Sequence, residues 1–535
     1  MNYIIKIFSI VFSLSTQFLN INYNYNRKID LIEKRLLTNN NVSNYLFTFS
    51  ENESRKWHNY TIEDFSNIDC LMLKDLTESL NPKSENKVSS NDLESFNRII
   101  KCSINGKLNE SQIHWLKTNF GIEIIEEEGI INFIDENIEY NNMNQCYIQS
   151  ANNIPSYHWA QDIINLDEAK QIIDSHLTES PEYKLKQADI GILEYDIQKY
   201  HLAFNNKNLS VINYDGTPSY SNGSNNELIN HGTKVTGIII GSSYSFLDNY
   251  YNLRPINDQY ANVTLIKHPL GLSGEYLSYK DELIEAISQA TSMGLRVLNC
   301  SFGYSKVGEN DSTLKVAFQN FPGLLVCGAG NEGNDNDGEN PIYPASYGFD
   351  NIISVGAINC NDNLLYKIKS FSEIVKSNWG AESVDVFAPG EDIYMVGCTS
   401  NADLSSCMFD SGTSYAAPFV TGLASLLISI EETTPYNFFT TNDLKEIIMT
   451  TVRKSNSLDG KCKSNGCIDF KAAIEEAYSN KIVGYEYYDD NYHTIIKPYG
   501  ASQEREEHDW KISIANYVSP SRLTCSKCGV SKITL

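Results

Sequence analysis

The chain has 535 residues, room for about three domains at roughly 100–200 residues each. Its 67 acidic against 42 basic residues leave a formal net charge of −25, which argues against nucleic acid as a partner because binding a phosphate backbone needs a positive surface. With 41% hydrophobic residues and no apolar run of membrane-spanning length after the N-terminus, the body reads as globular, without a stable transmembrane segment.

In residues 1–19, Lys6 precedes the apolar stretch Ile7 to Leu14, and Ser13-Leu14-Ser15 has the small residues a signal peptidase prefers. This predicts a signal peptide and a secreted or extracytoplasmic protein. The alternative is an uncleaved anchor, against which Ser9, Ser13, Ser15, Thr16 and Gln17 interrupt the run. The region 20–151 is rich in Asn, Glu and Ser, carries glycosylation sequons at Asn41, Asn52, Asn59 and Asn109, and reads as separate and partly flexible. Within it, Ile122-Glu123-Ile124-Ile125 and Ile130 to Ile134 have the length and composition of strands.

From residue 152 to 480 apolar runs of strand length alternate with amphipathic stretches of helix length, which predicts an α/β domain with a mostly parallel sheet covered on both faces. The predicted strands are Ile190 to Leu193, Val263 to Ile266, Arg296 to Cys300, Leu324 to Cys327 and Ile352 to Val355. The predicted helices are Asp281 to Met293, Ser414 to Glu431 and Thr441 to Thr451. Residues 481–535 form a Tyr-rich, charged tail without a period of either kind. Twelve cysteines are too few for a disulfide scaffold; Cys462 with Cys467, and Cys398 with Cys407, bracket short loops and are the simplest pairs. Cys525 and Cys528 lack the second pair that a zinc site needs, and Cys300 and Cys327 sit in apolar runs as core residues.

Three stretches could carry chemistry. Gly412-Thr413-Ser414-Tyr415-Ala416-Ala417-Pro418 places Ser414 at the start of a buried helix, where unpaired N–H groups and the helix dipole favour an oxyanion; the plainer reading is a helix cap. His231-Gly232-Thr233 opens a helix toward the core, and a serine nucleophile needs a base of near-neutral pKa, although a lone histidine is more often structural. Val326-Cys327-Gly328-Ala329-Gly330-Asn331 delivers an asparagine to a strand end, where its amide could donate to an oxyanion or merely shape a turn.

Together these motifs resemble the serine, histidine and oxyanion motifs of the subtilisin-like serine proteases, in that family's order. Trp159 with Asp162 to Asn165, Asn299 to Gly303, Tyr343 to Ser346 and Ala388-Pro389-Gly390 are further landmarks over about 152 to 480. The resemblance implies a three-layer α/β fold and a serine endopeptidase acting on a polypeptide substrate. It also implies substrate contacts at Ser301, Phe302 and Gly303 and at Gly328, Ala329 and Gly330, and an N-terminal propeptide within 20–151. The acid departs from the pattern: the strand before His231 runs into Glu194-Tyr195-Asp196 instead of Asp-x-Gly, so Glu194 takes the aligned place and Asp196 is the alternative. Tyr304 stands where a second glycine is usual, which predicts narrowed or aromatic subsites, and Lys234 after His231-Gly232-Thr233 is expected to point to solvent. The rival reading is an inactive binding or structural protein of the same fold. No organic cofactor is indicated; calcium is a candidate in the loop Asn331 to Asn340 through Asp335, Asp337 and Glu339, and an acidic solvated loop is the plainer account.

Overall fold

The computed structural model describes residues 42–80, 97–132 and 157–479, except 182, 220–225, 248, 269–276, 306–311, 370–373, 401 and 432–438, together with short strands between 486 and 534. The predicted signal peptide, Asn41 and Cys528 lie outside the described residues. The chain divides into two compact units, 1–76 with 97–128 and 77–96 with 129–535.

The first unit runs β1 (Val42–Phe49), α1 (Glu51–Lys56), β2 (Cys70–Asp75), β3 (Ile99–Asn105), α2 (Glu110–Phe120) and β4 (Ile122–Glu127). Its antiparallel sheet has the order β2-β3-β1-β4, a split βαββαβ arrangement. Phe47, Phe49, Phe65, Leu116 and Ile122 form its core, so a polar, Asn-rich sequence here still buries a continuous apolar face. Of the two strand-like patches, the first is β4, while Ile130–Asn132 pairs with Leu277–Tyr279 inside the second unit.

In the second unit seven strands run parallel: β5 (Ala188–Glu194), β6 (Leu209–Asn213), β7 (Ala261–Lys267), β8 (Val297–Cys300), β9 (Leu324–Gly328), β10 (Ile352–Ile358) and β11 (Val386–Pro389). A hairpin of β12 (Ile393–Gly397) and β13 (Ser406–Asp410) follows, then β14 (Arg453–Lys454) and β15 (Gly466–Cys467), and the nine-stranded sheet has the order β14-β15-β11-β10-β9-β8-β5-β7-β6. Every residue of β10 is buried, as expected of a parallel strand covered on both faces.

The helices are α3 (Leu166–Glu179), α4 (Asn226–Ile240), α5 (Lys280–Ser292), α6 (Ser312–Gln319), α7 (Thr413–Ser429), α8 (Thr441–Thr450) and α9 (Phe470–Ser479). They pair as α4 with α7, α5 with α6 and α3 with α9, completing a three-layer α/β domain. All 17 residues of α7 are buried, and it lies across β8 to β11, consistent with a sequence that is apolar on every side. In the tail, five short strands form a separate sheet in the sequence that showed no period.

The nine cysteines whose side chains are described are free thiols, so neither Cys462 with Cys467 nor Cys398 with Cys407 is bridged. Cys407 stands opposite Val396 in the hairpin while Cys398 lies beyond the end of β12, and Cys462 Sγ turns to Ser464 Oγ and Gly466 O.

His201, between β5 and β6, is fully buried. Its Nδ1 accepts the Ala203 N–H at 3.1 Å, so Nε2 carries the hydrogen and donates to Ser406 O at 3.0 Å. Burial pushes its pKa down to about 4. An unfolded histidine binds a proton near pH 6.5, so the folded state loses stability as pH falls from about 6.5 to about 4 and the loss levels off below that. His201→Gln should flatten that acid limb by on the order of 3 kcal/mol, read as urea midpoints between pH 4 and 7.

Candidate active site

Strand order reverses around β5, which is flanked by β7 and β8, and ligands of open α/β sheets bind at the carboxyl ends of strands beside such a point. The ladder pairs Cys300 with Leu193 and with Cys327. One residue further on, Glu194, Ser301 and Gly328 therefore stand level at the carboxyl edge.

Glu194 ends β5 and is 2% exposed. His231 lies inside α4, which begins at Asn226 instead of opening at the histidine. Its Nδ1 is 3.0 Å from Glu194 Oε2 and 2.9 Å from Oε1. A carboxylate only accepts, so Nδ1 holds the hydrogen and Nε2 is the ring's acceptor. Gly232 permits this approach: a Cβ there would lie 2.1 Å from Asp196 O and 3.4 Å from Glu194 Cβ. Asp196, the alternative acid, accepts the Ile197 N–H at 2.8 Å and pairs with Lys267 Nζ at 2.9 Å.

Ser414 is the second residue of α7. Its Oγ donates to Ser301 O at 3.1 Å, and Ser301 Oγ donates to Ser414 O at 2.8 Å. In an unbroken helix the Ser414 carbonyl would accept from residue 418, but Pro418 has no N–H, and the Ser301 hydroxyl takes that place. Ser301 is held in turn by Asn299 Nδ2 at 2.8 Å, and Asn299 Oδ1 accepts from Thr421 Oγ1 at 2.9 Å.

Asn331 Oδ1 accepts the Thr413 N–H at 2.8 Å, one of the donors a helix start leaves unpaired, and this fixes which way the carboxamide faces. The Gly330 N–H donates to Thr413 Oγ1 at 3.2 Å, with Gly330 at φ +108°, a conformation that favours glycine. Buried Asn378 secures this loop: its Oδ1 accepts from the backbone of Glu332 at 3.0 Å and Asn334 at 2.8 Å, and its Nδ2 donates to Ala329 O at 3.1 Å. In the acidic loop Asp337 accepts the amides of Glu382 and Ser383 at 2.9 and 2.8 Å, and Asp335 Oδ1 accepts the Asp337 N–H at 3.0 Å.

Two expectations fail on burial. Lys234 is not at the surface; it is 2% exposed and pairs with Asp410. Tyr304 is fully buried, its hydroxyl 2.9 Å from that of Tyr347, so its ring belongs to the interior and does not line a groove. Phe302 is half-buried, its ring 5.5 Å from His268, and a Cβ on Gly303 would meet Ile342 Cγ2 at 2.4 Å. Sequence reasoning missed Thr413 and Asn378 as supports, since a threonine beside a glycine and an asparagine in a loop carry no signal of their own. Ser301→Ala should leave the Ser414 carbonyl and the Asn299 amide short of a partner and cost about 1–3 kcal/mol, measured by chemical unfolding.

Residues 134–485 match the Subtilase family. Subtilisin-like protease 2 of Plasmodium falciparum is 31% identical over 204 residues, 37% of this chain and 13% of the relative. The alkaline extracellular protease of Yarrowia lipolytica is 33% identical over 40% of this chain and 43% of its own length, and subtilisin DY of Bacillus licheniformis is 30% identical over 48% and 82%. The chain thus spans less than half the length of the first two relatives. Among solved structures, the epidermin leader peptide processing serine protease of Staphylococcus aureus superposes with a TM-score of 0.51 at 16% identity, covering 83% of this chain and 100% of its own, a likeness of fold. With the family match extending over more than half of its residues, the chain belongs to the subtilase family.

Proposed function

We propose that the chain is a serine endopeptidase in which Ser414 is the nucleophile, His231 the general base and Glu194 the acid that orients it. The observation that carries this reading is the His231 Nδ1 hydrogen bond to Glu194, made by a helix that packs against the one bearing Ser414. In the reaction, Ser414 Oγ attacks the scissile carbonyl carbon while His231 Nε2 takes its proton, and Glu194 stabilises the resulting imidazolium. The carbonyl oxygen becomes an oxyanion bound by the Ser414 N–H and the Asn331 amide at the helix N-terminus. His231 then returns the proton to the departing amine as the C–N bond breaks, and water repeats the sequence on the acyl ester.

The substrate lies extended between Ser301-Phe302-Gly303 and Gly328-Ala329-Gly330, pairing with backbone as an added strand. Residues 152–480 make up the catalytic domain in this reading. Residues 20–151 serve as a propeptide, a role that rests on the family resemblance and on the region's position, and export is directed by residues 1–19, which carry the signal-peptide pattern described above. Glutamate in the acid position keeps the carboxylate's role, its extra methylene spanning from the strand end to the imidazole.

A fluorophosphonate probe should label the processed protein and fail to label Ser414→Ala. Glu194→Gln should lower kcat by about 10⁴-fold, and Asn331→Leu by about 10²–10³-fold. Asp196→Asn should alter stability and leave kcat near wild type. Equal labelling of Ser414→Ala, or undiminished turnover by Glu194→Gln, would refute the assignment.

A further inference from the structure

Lys234 lies one turn beyond His231 in α4, with Nζ 2.5 Å from Asp410 Oδ2 and 3.5 Å from Tyr415 Oη, and 5.5 Å from the centre of the Tyr415 ring. Tyr415 follows Ser414, is fully buried, and donates its hydroxyl to Asp410 Oδ2 at 2.7 Å. Asp410 closes β13, and its Oδ1 takes Lys369 Nζ at 2.9 Å. Burial alone would raise the Asp410 carboxyl, yet the charges and hydrogen bonds of Lys234 and Lys369 drive it far below the usual carboxylate range. The carboxylate therefore stays ionised. The Tyr415 ring lies 5.7 Å from the His231 imidazole, tilted by 44°.

A contribution to stability is weak grounds for such a node. Replacing a buried ion pair by apolar residues of similar volume is often neutral or stabilising, so the pair is weak grounds for a purely structural role. What the node does fix is geometry. It joins the helix carrying His231, the helix carrying Ser414 and the end of β13, with the Tyr415 hydroxyl between an ammonium and a carboxylate.

We propose that Lys234, Asp410 and Tyr415 are positioning residues that hold α4 against the start of α7 and set the Tyr415 ring beside the imidazole, keeping His231 on the line from Glu194 to Ser414. The assignment rests on the hydrolase reading above. A tyrosine anchored at its hydroxyl cannot swing, so its ring is a fixed wall for a histidine that must move a proton in both directions. Loosening that wall leaves the three reacting groups intact and misplaces one of them, and a displacement of about 1 Å can cost about 100-fold in rate.

The experiment compares fluorophosphonate labelling rates and peptide kcat and KM for wild type, Lys234→Met, Tyr415→Phe, the double variant Lys234→Met/Asp410→Asn, and Lys207→Met. The last removes a similarly close ion pair, Lys207 to Asp258 at 2.7 Å, which has no contact with the site residues and should keep its kcat. The first three variants should lose about tenfold to a hundredfold in kcat with KM unchanged. The double variant should recover the melting temperature lost in Lys234→Met and not the kcat. Recovery of kcat together with melting temperature, or wild-type turnover by the isosteric Tyr415→Phe, would overturn the positioning role alone. Failure of the wild type to label would overturn the hydrolase reading and this assignment with it.

Discussion

Burial of the first turn of α7 is the constraint on which the site depends. A helix whose 17 residues are all removed from water cannot leave its terminal N–H groups, or a carbonyl freed by an internal proline, to the solvent. Asn331 accepts from Thr413, and Ser301 donates to the carbonyl that Pro418 cannot reach. These bonds make deep burial tolerable, and they also place Ser414 against the ends of β8 and β9. A change that weakens this anchorage therefore acts on stability and on the position of Ser414 together.

The contact of Glu194 with His231 is built by a different device, the absence of a side chain. Gly232 leaves open the space beside the Asp196 carbonyl, which a Cβ would approach to 2.1 Å, and so lets α4 bring His231 up to the last residue of β5. From that strand end a glutamate reaches Nδ1, while the carboxylate two residues further along is already committed to Lys267 and the Ile197 N–H. Glu194 thus meets the imidazole from the strand end itself, and Asp196 has a separate electrostatic task.

Much of the second unit was legible because its elements bury all their faces. β5, β7, β8, β9 and β10, and helices α5, α7 and α8, fall on apolar runs or periodic stretches read directly from the sequence. The start of α4 was not, since Asn226 to Asn230 carry little apolar period and the readable run begins near Val235. The first unit was hidden by its polar composition, although β1 ends in five buried residues, Tyr45 to Phe49. Lys234 could not be placed at all from local pattern: its partners Asp410 and Tyr415 lie 176 and 181 residues away, and only the fold reveals that a lysine there has a carboxylate to meet. The cysteine pairs failed for a related reason, because closeness in sequence says nothing about strand offset in a hairpin.

Residues 413, 414 and 415 show how one helical turn can serve several ends at once. Successive helical residues point about 100° apart, so three neighbours face three different parts of the domain. Thr413 meets the loop after β9, Ser414 meets the residue after β8, and Tyr415 meets α4 and the end of β13. Each contact is polar and at least partly buried, and apart from the Tyr415 bond to Asp410 each partner lies 82 or more residues away, the circumstance in which hydrogen-bond networks rigidify a site. The contacts share one stretch of helical backbone, so they cannot relax independently, and deletions in different networks should couple even where the side chains never touch. The orientation of a histidine on one helix and a serine on another is in this sense a property of a single turn, held from three sides.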